Sequence, residues 1–292
     1  MKKIAILCNS KLYSGYSNKI KTALEGKNIQ VEILYSDSLI INNQKILEFD
    51  LIYSRLSGLK WTYEIMSQAA INTMNLIPNF EYYRISQNKY ISTVICQKFG
   101  IKTPKTYLIS TNSQFYDENL EMTKKIGFPF VLKPLYSSFG GALCLKIENE
   151  KELKQGMVNL FTCHQKGHDL IGTYDYGIIQ ELVNYKKLIR SLVVDGNTVA
   201  CGYASPKNNW KCSVCLNPDI KLYEKEMIPQ LGQFNKTIFE AFKGEIMIVD
   251  VFETRNGYVF NESNTACGLS NLEEISGINC AEIIANYLIK KL

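Results

Sequence analysis

Three oxygen-bearing side chains stand close to one another near the end of the chain: Asp250, Glu262 and Asn264. "GEIMIVDVFE" (244–253) and "GYVFNESN" (257–264) each read as a strand, and Asn256-Gly257 between them is a hairpin signal. Pairing these strands sets Asp250 beside Glu262. Asn264, two residues beyond Glu262, projects to the same side. Two carboxylates and an amide oxygen make a hard ligand set. Mg²⁺ takes such ligands and keeps its other positions for water and phosphate. The same residues can instead cap the hairpin and bind the next turn, and this segment alone supports both readings.

A second group lies in "FPFVLKPLYSSFGGALC" (128–144). An apolar strand ends at Lys133-Pro134, and a loop of small residues follows, with Ser138, Gly140 and Gly141. Such a loop can bring backbone N–H groups up to phosphate oxygens, and a strand-end lysine adds a point charge. A plain hairpin turn is the alternative. A third group is "IIQELV" (178–183), an apolar strand whose polar end, Gln180-Glu181, can present backbone groups to an adenine edge.

Three further patterns carry no site. "CSVC" (212–215) has CxxC spacing, but there is no second pair to complete a zinc site. The two histidines, His164 and His168, are four apart beside Cys163, and Gly167 weakens the helix that this spacing needs. The aromatic runs "FEYYR" (80–84) and "YDYG" (174–177) read as packing.

The order of the pieces says more than any one of them. "FPFVLKP", the glycine loop, "IIQELV", Arg190, "IVDVFE" and "NESN" follow one another in a sequence that resembles the ATP-grasp superfamily. Within it the chain looks most like the RimK-like carboxylate–amine ligases, which add amino acids to protein or carrier carboxylates. The resemblance implies an ATP-grasp fold, mixing α/β and α+β structure. It implies an N-terminal pre-ATP-grasp α/β domain (1–80), a central lobe with the glycine loop (81–175) and a C-terminal lobe with the metal ligands (176–292). ATP would lie between the last two.

Residue by residue, Lys89 in "SQNKYIST" and Lys133 match the lysines that hold the ATP phosphates, with Ser138, Gly140 and Gly141 in the loop above them. Gln180, Glu181 and Leu182 match the hinge that reads adenine. Asp250, Glu262 and Asn264 match the ligands of two Mg²⁺ ions, with Glu262 bridging and Mn²⁺ as an alternative metal. Arg190 matches the arginine near the transferred phosphate, and Lys211 stands where a further phosphate contact is expected. The implied reaction is phosphorylation of a substrate carboxylate, then attack by an amine on the acyl phosphate. Cations suit it, because a carboxylate approaching a triphosphate is repelled by like charge.

The sequence departs from the family mainly on the substrate side. Leu188 replaces an acidic residue, Ala204-Ser205 stands near the place of paired arginines, and Ser213 ends a changed Arg-x-Asn motif. Ala266-Cys267-Gly268 replaces a small-Pro-Gly turn. The expected substrate is therefore an amino acid, peptide or carrier unlike those of the best-known ligases. Rival readings are a small-molecule kinase of the same superfamily and a nucleotide-binding regulatory protein without catalysis.

The elements that must hold these residues are legible in outline. "KKIAILC", "IQVEILYS" and "DLIYSRLS" read as strands, with helices at "SNKIKTALEG" (ending at Gly26) and near 60–75: a small parallel α/β unit. "ISQNKYISTVICQKFG" reads as one helix closed by Gly100. A strand follows, then a helix near 117–126, strands at "FPFVLKP" and "GALCLKIEN", and a helix capped by Asn149. From Tyr176 the pattern is strand-rich, with Asp195-Gly196 marking a hairpin and a final helix in "GINCAEIIANYLIKKL".

Composition narrows the classes. The 292 residues carry a net charge of +5, nearly all of the excess from Lys; only Arg55, Arg84, Arg190 and Arg255 are arginines. Scattered lysines are a poor nucleic-acid footprint. No apolar run approaches a membrane span, and "MKKIAILCNS" reads as a first strand rather than a leader. The nine cysteines are odd in number, and Cys8, Cys96, Cys144, Cys201 and Cys280 lie in apolar patterns, as reduced core thiols do. The expectation is a cytoplasmic enzyme with small-molecule or carrier partners, no nucleic-acid or membrane partner, and a homo-oligomer as an open option.

Overall fold

A computed structural model describes residues 1–36, 43–57, 60–72, 75–110, 112–136, 143–163, 176–206, 210–212, 214 and 219–292. The chain opens with a parallel sheet of β1 (Lys3–Cys8), β2 (Gln30–Tyr35), β3 (Leu51–Arg55) and β4 (Leu76–Ile77), in the order β2-β1-β3-β4. Ile4 to Leu7 of β1 and Leu51 to Tyr53 of β3 are buried, as an apolar run covered on both faces must be. The helix α1 (Gly15–Glu25) carries the crossover from β1 to β2. Its residues Tyr16, Ile20 and Leu24 recur every four positions and form one buried face. It stops at Gly26, as the sequence suggests. α2 (Asn43–Ile46) and α3 (Lys60–Asn72) complete this part.

The helix expected over "ISQNKYISTVICQKFG" is two helices, α4 (Phe80–Gln87) and α5 (Lys89–Lys98). Asn88 separates them. Its backbone is extended (φ −112°, ψ 106°), and its side chain accepts hydrogen bonds from the backbone N–H groups of Tyr90 and Ile91. An asparagine that caps the next helix ends the one before it. Lys89 is therefore the first residue of a helix rather than a mid-helix residue.

The central sheet has the order β5-β8-β6-β7. It contains β5 (Thr106–Ser110), β6 (Phe130–Pro134), β7 (Leu145–Ile147) and β8 (Tyr176–Glu181), all pairing antiparallel. α6 (Tyr116–Ile126) and α7 (Glu150–Cys163) belong to it. Asn149 caps α7 as expected: it accepts from the Glu152 N–H, and the Glu152 carboxylate accepts from the N–H of Glu148, one residue before the cap. Of the strand expected over "GALCLKIEN", only Leu145–Ile147 is strand among the described residues.

The last sheet is antiparallel, ordered β11-β10-β9-β12-β13. Its strands are β9 (Lys187–Val194), β10 (Asn197–Ala204), β11 (Lys221–Leu222), β12 (Ile246–Thr254) and β13 (Gly257–Asn264). Asp195 (φ 52°) and Gly196 (φ 77°) make the β9–β10 turn, a left-handed pair that tightens a two-residue hairpin. α8 (Ile228–Phe242), α9 (Ser270–Ser276) and α10 (Cys280–Lys290) cover the sheet. α8 was not foreseen within the strand-rich half.

The packing joins the two ends of the chain. One core contains Ile4, Ile6, Ile20 and Leu24 from the first sheet and α1, Leu192 and Ile248 from the last sheet, and Ile284 and Leu288 from α10. A second core sets Tyr82 and Cys96 of α4 and α5 against Val193, Phe242 and Phe260. The central sheet keeps a separate core of Ile109, Phe130, Leu132, Ile147, Leu153, Met157, Leu160 and Ile179. Cys8, Cys96, Cys144, Cys201 and Cys280 are buried free thiols, as their apolar surroundings suggest. Among the described residues, no helix is long and apolar enough to cross a membrane.

Candidate active site

A cleft of about 900 Å³ opens where the three sheets meet. It is lined by ten of the residues singled out from the sequence: Lys89, Lys133, Gln180, Glu181, Leu182, Arg190, Lys211, Asp250, Glu262 and Asn264. Ser138, Gly140 and Gly141 lie outside the described residues, as do His164, His168 and Ser213.

The acidic group sits in one row across three strands. Arg190 on β9 faces Asp250 on β12, and Asp250 faces Glu262 on β13. The Arg190 guanidinium grips the Asp250 carboxylate with two hydrogen bonds, from Nε to Oδ1 (2.7 Å) and from Nη2 to Oδ2 (2.5 Å). Both side chains are buried. A carboxylate held at both oxygens still has lone pairs to offer a cation.

Strand alternation alone would not produce this row. Phe260 and Glu262 are two apart and would share a face, yet Phe260 is in the core and Glu262 lines the cleft. A bulge resolves the conflict. Val251 pairs with Phe260 and Asp250 with Glu262, so Asn261 is an extra residue on β13. Asn261 and Glu262 both turn to the cleft, Ser263 returns to the core, where its hydroxyl bonds the Tyr82 hydroxyl (2.8 Å), and Asn264 faces the cleft again. Bulges re-aim side chains in this way beside functional sites. The Asn264 amide reaches Glu262 Oε1 at 3.4 Å.

Lysines surround Glu262. Burial on its own would raise the Glu262 carboxyl, but the charges of Lys89, Arg190 and Lys133, with the Asn264 amide, outweigh it and hold the group below its ordinary value. Burial pushes the Lys89 ammonium down, with Glu262 opposing and the like charge of Lys133 adding to the fall. Lys89 Nζ donates to the Tyr136 carbonyl (2.8 Å), and its backbone N–H donates to Leu135 O (3.0 Å), tying the start of α5 to the end of β6. Lys133 Nζ spans two sheets, donating to Gln180 Oε1 (2.6 Å) on β8 and to Asn261 Oδ1 (3.3 Å) on β13. Gln180 is fixed in turn by a bond from its Nε2 to Thr106 Oγ1 (3.0 Å).

At the far end, Glu181 closes β8. Its side chain accepts from the Lys105 N–H (3.1 Å), so its carboxylate braces the chain while Leu182 and Val183 run along the cleft. Leu188 packs with Ala204 and Val214 and makes an apolar wall in the place of the family's acidic residue. Lys211 Nζ lies 5.8 Å from the Trp210 ring centre. Cys212 is hydrogen-bonded by the Tyr185 hydroxyl, and burial pushes its thiol up, so it behaves as a packed thiol; its CxxC partner Cys215 is outside the described residues.

Sequence reasoning missed three things in the cleft. Asn261 carried no signal beyond being polar within a strand. Arg55 stood out only as one of four arginines. Cys267, seen only as a departure from a turn motif, has its carbonyl and its sulfur turned to two different arginines, Arg55 and Arg190.

Residues 86–288 match the RimK-like ATP-grasp domain. The chain belongs to the RimK-like ATP-grasp family. It is 28% identical to the coenzyme gamma-F420-2:alpha-L-glutamate ligase of Methanococcus maripaludis, covering 98% of each chain. It is 26% identical to the alpha-aminoadipate–LysW ligase LysX of Saccharolobus solfataricus, over 91% of this chain and 94% of that one. In fold it is similar to a RimK domain ATP-grasp protein from Sphaerobacter thermophilus, with a TM-score of 0.73 at 14% identity, covering 98% of this chain and 99% of the other. The ATP-grasp fold and the RimK-like branch expected from the order of the motifs are both borne out.

Proposed function

We propose that this RimK-like ATP-grasp protein is an ATP-dependent ligase that joins a carboxylate to an amine through an acyl phosphate. The observation that carries the reading is the convergence in one cleft of Lys89 and Lys133 with the row Arg190–Asp250–Glu262 and with Asn264. ATP bound with Mg²⁺ supplies the transferable phosphoryl group. Lys89 and Lys133 hold its phosphates, and the strand end at Glu181-Leu182 lies along the adenine. Asp250, Glu262 and Asn264 offer hard oxygen donors on one face of a hairpin, which suits Mg²⁺, and two ions are proposed. The surrounding cations hold the Glu262 carboxyl below its ordinary value, which favours its charged form.

In the first step, a substrate carboxylate oxygen bonds to the γ-phosphorus and the bond to ADP breaks. Arg190, positioned by Asp250, stands where charge builds up on that group. In the second step, the amine nitrogen bonds to the acyl carbon, gives up a proton, and phosphate leaves with the electron pair of the broken C–O bond. The chain's part throughout is to place groups and spread charge, and no side-chain nucleophile is required. The proposed substrates are an amino acid and an amino acid, peptide or carrier carboxylate; the names of the two relatives each include an amino acid, L-glutamate in one and alpha-aminoadipate in the other. The N-terminal segment (1–80) contributes to the substrate side, the central segment (81–175) covers ATP, and the C-terminal segment (176–292) holds the metals. α4 and α5, although in the middle segment, pack with the last sheet.

The test is to incubate the protein with ATP, Mg²⁺ and pooled amino acids with cell extract, and to follow ADP and new amides by mass. ADP release that needs both a carboxylate and an amine, with amide formed in equal amount, is the expected result. ADP release matched by a stable phosphorylated product would make it a kinase. ATP binding with no turnover on any pool would make it a regulatory binder.

A further inference from the structure

The first sheet presents a second feature to the same cleft. In a parallel sheet the crevice for a ligand lies outside the carboxyl ends of two neighbouring strands whose connections leave in opposite directions. Here those strands are β1, which connects to β2 on one side, and β3, which connects to β4 on the other. Their carboxyl-terminal residues, Cys8 and Arg55, are register partners, and both line the cleft. The amino end of α1, at Gly15 and Tyr16, lines it as well.

Arg55 is 9% exposed, and every partner it has among the described residues is neutral. Its Nη2 donates to the Cys267 carbonyl (2.8 Å), and its guanidinium lies 5.0 Å from the Tyr16 ring centre. This distinguishes it from three other cations of the cleft. Arg190 is matched by Asp250, Lys19 by Glu273, and Lys89 feels the charge of Glu262. A buried guanidinium has five donors and a full charge, and burial without a counter-charge is costly. Among the described residues no anion meets this charge, which suits the place to an anionic ligand. Its distance from the chemistry is also set. Cys267 touches Arg55 through its carbonyl and Arg190 through its sulfur (3.8 Å), so the two arginines stand on either side of one residue.

We propose that Arg55 binds the α-carboxylate of the amino acid being joined, and so selects amine substrates that carry a free carboxylate next to the amine. This rests on the ligase reading above. Held there, that carboxylate is kept away from the transferable phosphoryl group, while the amine one carbon away faces the acyl phosphate beside Arg190. A fork of N–H donors matches a planar carboxylate with two parallel bonds, which a lysine does not reproduce.

The test is binding by calorimetry on the full chain with the non-hydrolysable ATP analogue AMPPNP and Mg²⁺. The probes are the twenty L-amino acids one at a time, and then the α-carboxamide of each that binds. Wild type should prefer acid over amide by about tenfold or more, the scale of a charge-assisted hydrogen bond. Arg55→Met should lose most of that preference while binding the amides as wild type does, and Arg55→Lys should be intermediate. A purely structural role would weaken acid and amide alike. AMPPNP binding serves as the check of folding, and if Arg55→Met fails it, the acid–amide preference of wild type and Arg55→Lys decides. Equal binding of acid and amide by wild type, an unchanged preference in Arg55→Met, or no amino acid bound by a chain that does bind AMPPNP would each overturn the proposal. Failure of the ligase reading is separate and shows as absent AMPPNP binding or as ADP release that needs no amine.

Discussion

The first and last sheets share one hydrophobic core, whereas the central sheet keeps its own. Side chains of β1, α1, β9, β12 and α10 interlock in a single cluster. The central core draws only on β5, β6, β7, β8 and the two helices beside them. Around the cleft, the central sheet meets the rest through polar ties: Lys89 N–H to Leu135 O, and Lys133 to Asn261. Apolar cores resist separation because both faces would be wetted, while a hydrogen bond exchanged for one to water costs little. The difference assigns two kinds of wall to the cleft. The wall carrying Arg55, Arg190, Asp250 and Glu262 is a fixed frame. The wall carrying Lys133 and Gln180 belongs to a unit with its own core, tied to the frame by hydrogen bonds.

The sharpest way to break the frame is at its charged centre. Asp250→Asn removes the carboxylate charge that the buried Arg190 grips and should lower unfolding free energy by about 3 kcal/mol, read by urea denaturation. Glu262→Gln should leave stability closer to wild type yet cut turnover roughly a hundredfold or more. Near-normal turnover of Glu262→Gln would take that residue out of the metal-holding group.

The two cores can be compared directly. Ile284→Ala in the shared core and Leu153→Ala in the central core each remove a fully buried side chain, at about 2–5 kcal/mol. Amide exchange should separate them. Ile284→Ala should speed exchange in β1, β9 and β12 together, and Leu153→Ala should speed it in β6, β8 and α7 while the frame keeps its protection. Uniform acceleration by both variants would mean one cooperative body. A smaller effect is expected from Asn88→Ala, which removes the cap that places Lys89 at the start of α5. It should cost about 1 kcal/mol, and the fluorescence-detected urea midpoint checks it. Smallest is Asn261→Ala. It cuts the 3.3 Å tie from Lys133 to the frame and should change the KM for ATP by roughly twofold to fivefold with kcat nearly kept, as loss of a weak hydrogen bond does.

Much of the frame was legible because its signals are local. Asn256-Gly257 and Asp195-Gly196 mark hairpins, and the apolar run of β1 marks a strand covered on both faces. The acidic row was legible only in part. Residue spacing puts Glu262 and Asn264 on one side, but it puts Phe260 there too, and the extra residue Asn261 that separates them leaves no mark in a pattern of period two. The break at Asn88 had a signal, an asparagine followed by three residues of a helical repeat, but the apolar pattern runs on across it. α8 had Pro229 near its start and apolar residues at Leu231, Phe234, Ile238 and Phe242, a helical spacing hidden among strands. Arg55 could not have been placed from the sequence, because its partner Cys267 lies 212 residues away and only the fold brings them together.

The seat of α10 on α1 bears on how the protein is made. α10 packs against α1, and its Ala281, Ile284, Ala285 and Leu288 share one core with Tyr16, Ile20 and Leu24; they leave the ribosome long after the first sheet has been synthesised. A nascent chain that has reached the central lobe can already fold that lobe, since its core is local, but the side of α1 that α10 will cover stays bare and wet. The part translated first is thus completed by a helix translated more than 250 residues later, and during that interval its uncovered apolar face is the surface a chaperone would meet.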